Sequence, residues 1–225
     1  MKQLLLLLTL PFFCCCTQAQ VKSPKTIQFT QAWVWEYENN TIAQNEPGHK
    51  GEIVVYFEPK QNYWLFTAEA YGTSGEMYDW IIGKPDGTYL LSSTDEFGKK
   101  AITKQQLPFP ANKILPQHYK PLGKKKVFNH NKLGFPKIEG TEFKVDYTKT
   151  NDRTSVFVSD FKADFFPVYF FNHLNIEAKL PFSFPTDFPK NKLLLQEVSI
   201  VNKAKLQLTL KEISHTEYYI ELKTE

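Results

Sequence analysis

The segment GEIVVYFEPKQNYWLFTA, residues 51–68, sets the expected fold of this chain. It contains two runs of β-branched and aromatic residues, 51–58 and 62–68, joined by a short turn at 59–61. This pattern predicts a β-hairpin. Because both faces of both strands carry apolar side chains, we expect the hairpin to lie inside a sheet that is covered on each side, or to line a cavity with one side.

A long strand is predicted before the hairpin. Residues 27–38 alternate strictly, which is typical of a β-strand. The residues of one side are mostly aromatic, and they are Ile27, Phe29, Gln31, Trp33, Trp35 and Tyr37. Residues 39–50 are rich in Asn, Gly and Pro and predict a loop.

Further short strands are expected on both sides of the middle of the chain. We predict them at 78–82, 88–93, 101–107, 141–149, 154–159, 192–201, 205–213 and 217–222. Most of the turns between them are too short for the crossover that a parallel pair needs. The strands should therefore form antiparallel meanders.

The charges are segregated along the chain. Residues 98–138 contain ten lysines, two histidines and no aspartate or glutamate. The flanking segments, 20–97 and 139–225, carry net charges of −6 and −2. This layout separates a basic middle from two acidic parts.

Prolines interrupt the basic middle of the chain at positions 108, 110, 116, 121 and 136. Proline disfavours a helix interior and a central strand. We therefore expect 108–138 to be mainly an extended crossover. It would join two β halves, 27–107 and 139–225, of a single β-rich domain that spans 20–225.

An aromatic segment follows in the second half. Residues 161–174 are rich in Phe and Tyr, and their spacing predicts a short helix broken at Pro167, placed as a cap over the sheet. Residues 180–189 contain three prolines and three phenylalanines and predict an ordered loop. The fold class is therefore mainly β, with a short helical and aromatic cap.

The N-terminal residues 1–19 have the pattern of a secretory signal peptide. Lys2 precedes an apolar run at 4–16, and small residues lead to Ala19, after which we expect cleavage. The apolar run is shorter than the ~20 residues that a membrane-spanning helix needs. The sequence thus predicts an exported protein, periplasmic or secreted, with no transmembrane span after signal removal.

All three cysteines, Cys14, Cys15 and Cys16, lie in this leader. Cleavage after Ala19 would leave no thiol, which excludes disulfides, cysteine nucleophiles and thiolate metal sites. The alternative is cleavage before a cysteine that is then lipidated. The bulky residues ahead of Cys14 depart from the small residues of the usual bacterial pattern.

Signatures of catalysis are absent from the sequence. The GTSG segment at 72–75 lacks the spacing of a G-x-S-x-G nucleophile elbow, and neither a phosphate-binding glycine loop nor H-E-x-x-H occurs. His215 and Glu217 lie two apart on a predicted strand, but two ligands fall short of a metal site. Asp160 and Asp164 fit a solvated helix edge better than a catalytic carboxylate pair. We predict no catalytic residue, metal or cofactor.

A lysine-rich patch is the main charged feature. Lysine acts as a point charge, whereas bidentate phosphate recognition favours arginine, and the chain has one arginine, at position 153. We therefore expect no nucleic acid partner. Anionic lipid headgroups or an acidic protein surface are candidate partners, and a loop that serves only solubility is the alternative. The patch comprises Lys120, Lys124, Lys125, Lys126 and Lys132.

The order of these elements resembles that of exported lipoprotein-carrier-like proteins. The resemblance rests on the leader, the aromatic strand, the 51–68 hairpin, a second hairpin at 80–90 (WIIG then DGTYL) and the late segment LQLTLKEI at 206–213. It implies a strongly curved antiparallel sheet, a half-barrel with an apolar concave face under a helical lid. Here only 161–174 could form that lid. The resemblance carries over no functional residue.

Three functions follow as hypotheses. The first is a non-enzymatic exported protein that binds an apolar or amphipathic ligand, such as a lipid or an envelope lipoprotein, in its curved sheet. The second is a structural or interaction protein that docks through the lysine-rich patch, and the third is a hydrolase with an unrecognised site. A cavity of several hundred Å³ would favour the first over the second. The candidate lining residues are Trp33, Trp35, Phe57, Trp64 and Trp80.

Overall fold

The first and last strands that the structure describes pair at the centre of one antiparallel sheet. The structure, a computed structural model, describes residues 25–71, 78–107, 118–128, 137–146, 153–185, 191–201 and 204–222. Strand β1 (Lys25–Asn39) pairs with β11 (Ala204–Leu222) along almost its whole length. The eleven strands follow the order β6-β5-β4-β3-β2-β1-β11-β10-β9-β8-β7. The sheet is curved and does not close into a barrel, which agrees with the expected half-barrel.

On one side of this central pair, β1 to β6 form a continuous meander. The strands are β2 (Lys50–Glu58), β3 (Tyr63–Thr67), β4 (Trp80–Gly83), β5 (Thr88–Thr94) and β6 (Lys100–Gln106). The predicted hairpin is confirmed as β2 and β3.

The turn of this hairpin is fixed by its own residues. The Glu58 carboxylate accepts hydrogen bonds from the backbone N–H groups of Lys60 (3.0 Å) and Gln61 (2.7 Å), and Asn62 adopts a positive φ of 54°. A side chain that accepts from the backbone two and three residues later stabilises a tight turn. The sequence therefore specifies the register of β2 against β3 locally.

On the other side, β7 to β11 form a second meander. The strands are β7 (His118–Phe128), β8 (Ile138–Asp146), β9 (Arg153–Asp160) and β10 (Lys192–Val201). Strand β7 lies inside the segment 108–138 that we expected to be mainly crossover, so this part of the expectation is wrong. It is an edge strand, where the missing N–H of Pro121 is tolerated.

The last strand, β11, also differs from expectation. We predicted two strands, 205–213 and 217–222, whereas the structure has one strand whose pairing with β1 shifts register twice, between Val34 and Trp35 and, at what we call the bulge, between Phe29 and Gln31. Phe29 pairs with Tyr218 and Gln31 with His215, so β11 has one extra residue at this point. Extra residues of this kind bend a strand and increase its twist.

Beyond the bulge, the ends of β1 and β11 cover the outer face of the sheet. Ile27, Phe29 and Ile220 pack with Leu65 and Ile82, which project from the face opposite to the main core. Strand β1 pairs with β2 only from Gln31 onward, so the first residues of β1 extend past β2 together with β11. A bend of this two-stranded ribbon at the bulge accounts for the contact. We call this apolar group the outer cluster.

The segment 161–185, which we call the cap, covers the concave face. It contains one turn of helix, α2 (Phe166–Tyr169), and a 3₁₀ turn at Phe171–His173. Pro167 lies in the first turn of α2, where its missing N–H costs nothing. It therefore starts the helix, and the prediction that it breaks the helix is wrong. A second single turn, α1 (Ala68–Tyr71), follows β3 and was not predicted.

Several predictions concern residues outside the described ranges. These are the signal peptide at 1–19, the GTSG segment at 72–75, Lys132, and residues 186–189 of the predicted loop. Among the helices that the structure describes, none is both long and apolar enough to span a bilayer.

Candidate functional site

The concave face of the sheet is lined by large aromatic side chains from its central strands. Trp33 and Trp35 on β1 and Trp64 on β3 are fully buried, and Phe57 on β2 is 3% exposed. Trp33 and Trp35 project to the same side because they are two residues apart on one strand. Phe57 and Trp64 are cross-strand partners whose rings stack at 4.2 Å. The alternation thus gives the predicted aromatic face at Trp33 and Trp35, whereas Ile27 and Phe29 of the same predicted face lie in the outer cluster.

The cap supplies a second layer of rings against this face. Phe165 lies edge-on to Trp33, with ring centroids 5.5 Å apart, and 5.3 Å from Trp64. Phe184 contacts Trp35 edge-on at 5.5 Å. Edge-to-face and offset pairs at these distances are favourable beyond the area that they bury. The cap therefore fills the concave face in this structure and occupies the space in which the ligand-binding hypothesis expected a cavity.

Four hydrogen bonds, each buried or partly buried, fix the cap in place. Trp64 Nε1 donates to the carbonyl of Asp164 (2.7 Å), and the Tyr89 hydroxyl donates to the carbonyl of Pro167 (2.8 Å). The Tyr169 hydroxyl donates to the carbonyl of Lys192 and accepts from the N–H of Leu194 at 3.0 Å. Each bond satisfies a backbone group at the boundary between cap and sheet, where an unpaired polar group is costly.

Burial also determines the protonation of the two tyrosines. Desolvation raises the pKa of both Tyr89 and Tyr169 far above the ordinary tyrosine value, because the phenolate would be charged in an apolar site. A backbone hydrogen bond from Leu194 partly opposes this rise in the pKa of Tyr169. Both hydroxyls therefore remain protonated donors to the cap at neutral pH.

Gly83 sets the closest approach of the cap to the sheet. A Cβ atom at this position would lie 2.7 Å from Cβ of Pro167 and 2.9 Å from the Tyr89 ring. Both distances are shorter than a side-chain contact allows. The absence of a side chain on β4 thus lets helix α2 settle on the sheet.

Four of the five predicted lining residues come together on this face, and one lies elsewhere. Trp80 is half-buried and packs against the outer cluster. It lies two residues before Ile82 on β4, so both side chains project from the outer face. The cap partners Phe165 and Phe184 were not predicted as site residues. The aromatic density of 161–174 indicated a cap, whereas no local pattern could show which rings it meets.

A buried polar group lies beside the aromatic region on the same face. Glu197 and Ser199 on β10 and Thr154 on β9 are each at most 7% exposed. Ser199 Oγ donates to Glu197 Oε1 (2.9 Å) and shares a hydrogen bond with Thr154 Oγ1, also at 2.9 Å. Glu197 pairs with Leu208, whose side chain belongs to the main core, which places the carboxylate on the concave side. The face therefore combines an aromatic centre with a polar, acidic group.

The lysine-rich patch lies on the edge strand β7. Its described members are Lys120, Lys124, Lys125 and Lys126, all of them exposed. Lys124 lies 3.8 Å from a carboxylate oxygen of Glu142, Lys125 lies 2.7 Å from one of Glu139, and Lys126 lies over the Phe128 ring at 4.7 Å.

Strand β6, at the opposite edge of the sheet, carries further lysines of the basic segment, Lys100 and Lys104. The basic segment 98–138 thus supplies both edges of the sheet. Lysines on an edge strand disfavour pairing with another sheet, which gives these residues a structural use in addition to any docking role.

His215 and Glu217, the pair considered as metal ligands, lie at the bulge of β11. Within the described parts of the chain, no three His, Cys, Asp or Glu side chains are grouped so that they could hold a metal ion. Asp160 forms an ion pair with Lys192 (2.6 Å), and the Asp164 carboxylate accepts from the N–H of Phe166 at 3.0 Å. Both carboxylates, Asp160 and Asp164, therefore take part in structural contacts.

Comparison with known proteins does not assign the chain to a family. No family model matches it, and no curated protein is similar to it in sequence.

Proposed function

We propose that the protein is an exported, non-enzymatic carrier that binds an apolar or amphipathic ligand on the concave face of its sheet, with the cap as the closing element. The observation that carries this proposal is the aromatic face formed by Trp33, Trp35 and Trp64 beneath a cap that is not part of the sheet. A ligand reaches this face when the cap moves away. The apolar part of the ligand then takes the place of Phe165 and Phe184.

The way in which the cap is attached supports this motion. None of the cap residues, all of which the structure describes, belongs to a strand, so the cap can leave without breaking a strand ladder. Its attachment to the sheet includes side-chain hydrogen bonds and ring contacts. A bound apolar chain would restore burial of the exposed rings, which offsets the loss of the cap contacts.

The chemistry of the face favours an amphipathic ligand over a purely apolar one. The aromatic centre suits an acyl chain or a ring system, while Glu197 and Ser199 can accept hydrogen bonds from a polar head group. Ligand sites are typically apolar with a few placed polar groups that fix orientation. The buried carboxylate disfavours an anionic head group at the same place.

The distribution of the four tryptophans provides a direct test. Three lie on the concave face and Trp80 lies on the outer face. A brominated lipid quenches tryptophan on contact, so we use a dibrominated monoacylglycerol as probe. We expect saturable quenching in the wild type that persists in Trp80→Phe, and a co-purifying lipid in native mass spectrometry of protein isolated from the envelope.

Two outcomes would overturn the carrier proposal. One is the absence of quenching at any probe concentration below micelle formation, together with lipid-free protein from the envelope. The other is quenching that disappears in Trp80→Phe, because the lipid would then bind the outer face. The triple variant Trp33→Phe, Trp35→Phe, Trp64→Phe serves as a further control if it folds.

The exposed lysines of β7 favour a second candidate function, docking on an acidic envelope protein. Lys124 and Lys125 keep 76% and 63% of their side chains exposed although each faces a glutamate. Contacts of this kind are screened by salt. Crosslinking in an envelope extract should give an adduct that is lost at high salt and in the variant Lys124→Gln, Lys125→Gln, Lys126→Gln. The matched control is Lys100→Gln, Lys104→Gln on β6, and an adduct that ignores both salt and the β7 lysines would exclude this role.

A further inference from the structure

The bulge that bends β1 and β11 also forms a groove on the surface. The groove has a volume of about 380 Å³. Its lining residues come from the two strands on either side of the bulge, and they are Gln28, Thr30, His215, Thr216 and Glu217. None of them belongs to the main core, the outer cluster or the cap. The groove is thus separate from the proposed ligand face.

The size and the shape of the groove suit a small ligand. A volume of 380 Å³ lies at the lower end of the range that ligand sites occupy, about 300–1,000 Å³. The extra residue of β11 lies among the lining residues, so the groove coincides with the bulge. Bulges are frequent next to functional sites.

The side chains of the groove combine hydrogen-bond donors with hydrogen-bond acceptors. Gln28 offers an amide, Thr30 and Thr216 offer hydroxyls, His215 offers an imidazole and Glu217 offers a carboxylate. This set matches a ligand whose groups also both donate and accept, such as a row of hydroxyls. The set does not contain a lysine or an arginine, so it does not favour an anion.

An exposed aromatic ring stands at the rim of the groove. Tyr219 is 54% exposed, and it pairs with Gln28 across the two strands. Its hydroxyl accepts a hydrogen bond from Gln28 Nε2 (2.9 Å) and donates to Glu217 Oε2 (3.5 Å). These contacts hold the ring beside two lining residues while its face stays open to a ligand. An aromatic ring with one apolar face and a polar tip suits ligands that are themselves amphipathic.

We infer that this groove binds a neutral saccharide. The hydroxyls of the sugar would exchange hydrogen bonds with Gln28, Thr30 and Glu217, and its apolar C–H face would lie on the Tyr219 ring. Glu217 would repel a carboxylated or sulfated sugar, so the site selects uncharged units. The volume admits one or two sugar residues, with the remainder of a longer glycan extending past the rim.

The test uses the intact protein and a panel of neutral and acidic oligosaccharides, including cellobiose, maltose, chitobiose, lactose and hyaluronan fragments. Saturation-transfer NMR reports contact, and titration gives the affinity. We expect at least one neutral disaccharide to bind in the millimolar range. We expect Tyr219→Ala and Gln28→Ala each to weaken this binding at least fivefold.

Two matched variants test whether binding depends on the groove and not on nonspecific contacts elsewhere on the surface. Phe97→Ala removes an aromatic side chain that is 87% exposed at a distant turn, and Glu221→Gln removes a charge from an exposed position of the same strand. Both should leave the affinity unchanged. Circular dichroism confirms that each variant is folded.

Three results would overturn the inference. One is the absence of binding by every neutral member of the panel, and another is binding restricted to the acidic members. The third is binding that Tyr219→Phe, Tyr219→Ala and Gln28→Ala all leave intact. Because the groove shares no residue with the concave face, none of these results bears on the carrier proposal.

Discussion

Both faces of the sheet are apolar, but they are covered by different means. The concave face is covered by the cap, a segment that is not itself part of the sheet, whereas the outer face is covered by the bent ends of β1 and β11. Uncovering the outer cluster therefore requires the loss of strand pairs, and uncovering the concave face does not. This difference is the reason why we place the ligand under the cap.

The largest effect that can test this comparison is a cavity beneath the cap. Phe165→Ala removes a fully buried ring that contacts both Trp33 and Trp64. We expect the free energy of unfolding to fall by about 3–5 kcal/mol, as for other large-to-small changes in a core. Urea denaturation measures it. Phe97→Ala, at an exposed position, is the control, and similar losses in the two variants would show that the cap is not an integral layer.

The bend that covers the outer face can be tested by deleting Thr216. The deletion removes the extra residue of β11 and leaves a regular ladder in which Ile220 still pairs with Ile27, so the two-stranded ribbon loses its bend and Ile220 leaves the outer cluster. We expect a loss of roughly 1.5–3 kcal/mol, the value for one buried apolar side chain. Thr216→Ala keeps the chain length and should be close to wild type in the same urea titration. A deletion as stable as this control would contradict the role of the bulge.

The attachment of the cap can be weakened by removing one hydroxyl. Tyr89→Phe leaves the buried carbonyl of Pro167 without its donor, which we expect to cost about 1–2 kcal/mol at pH 7. Tyr63→Phe makes the same chemical change in a half-buried residue of the outer cluster. Hydrogen exchange of the cap amides should accelerate in the first variant only. Equal exchange in both variants would mean that the hydroxyl does not hold the cap.

The smallest expected effect is a dependence of stability on alkaline pH. Burial raises the pKa of Tyr89 above the ordinary value of 10.0, so its contribution to stability is complete below pH 10 and is lost as the pH rises toward the raised value. The loss should approach about 1.4 kcal/mol per pH unit for each such tyrosine. Urea midpoints between pH 7 and 11 should fall less steeply in Tyr89→Phe than in wild type. Parallel curves for the two proteins would disprove the assignment.

The strands that could be predicted from the sequence are those whose pattern and turn residues lie within one short segment. Strand β1 and the hairpin β2–β3 follow from alternation and from turn residues such as Glu58. Strand β7 was missed because proline and lysine are unusual in a central strand but suit an edge, and the position of a strand in a sheet is not a local property.

The candidate site was predictable only in part. The aromatic face of β1 could be read from the alternation of Trp33 and Trp35, and the cap could be read from the aromatic density around Phe165. Trp80 was wrongly predicted to line the concave face. Strand β4 is apolar on both faces, so the sequence does not show which of its side chains lie on the same face as Trp64. The groove at the bulge depends on the pairing of residues that are far apart in the chain, which no local pattern contains.

The pairing of the two terminal strands constrains the order in which the protein can fold. Lys25 pairs with Leu222, so the central ladder closes only when nearly the whole chain is available. Until then, the edge of β1 that later pairs with β11 stays exposed. Contacts between such distant residues form slowly because the intervening loop must be closed first. The central ladder of a chain that leaves the ribosome stepwise therefore cannot form until β11 emerges. We therefore expect the ladder between β1 and β11 to form late in folding.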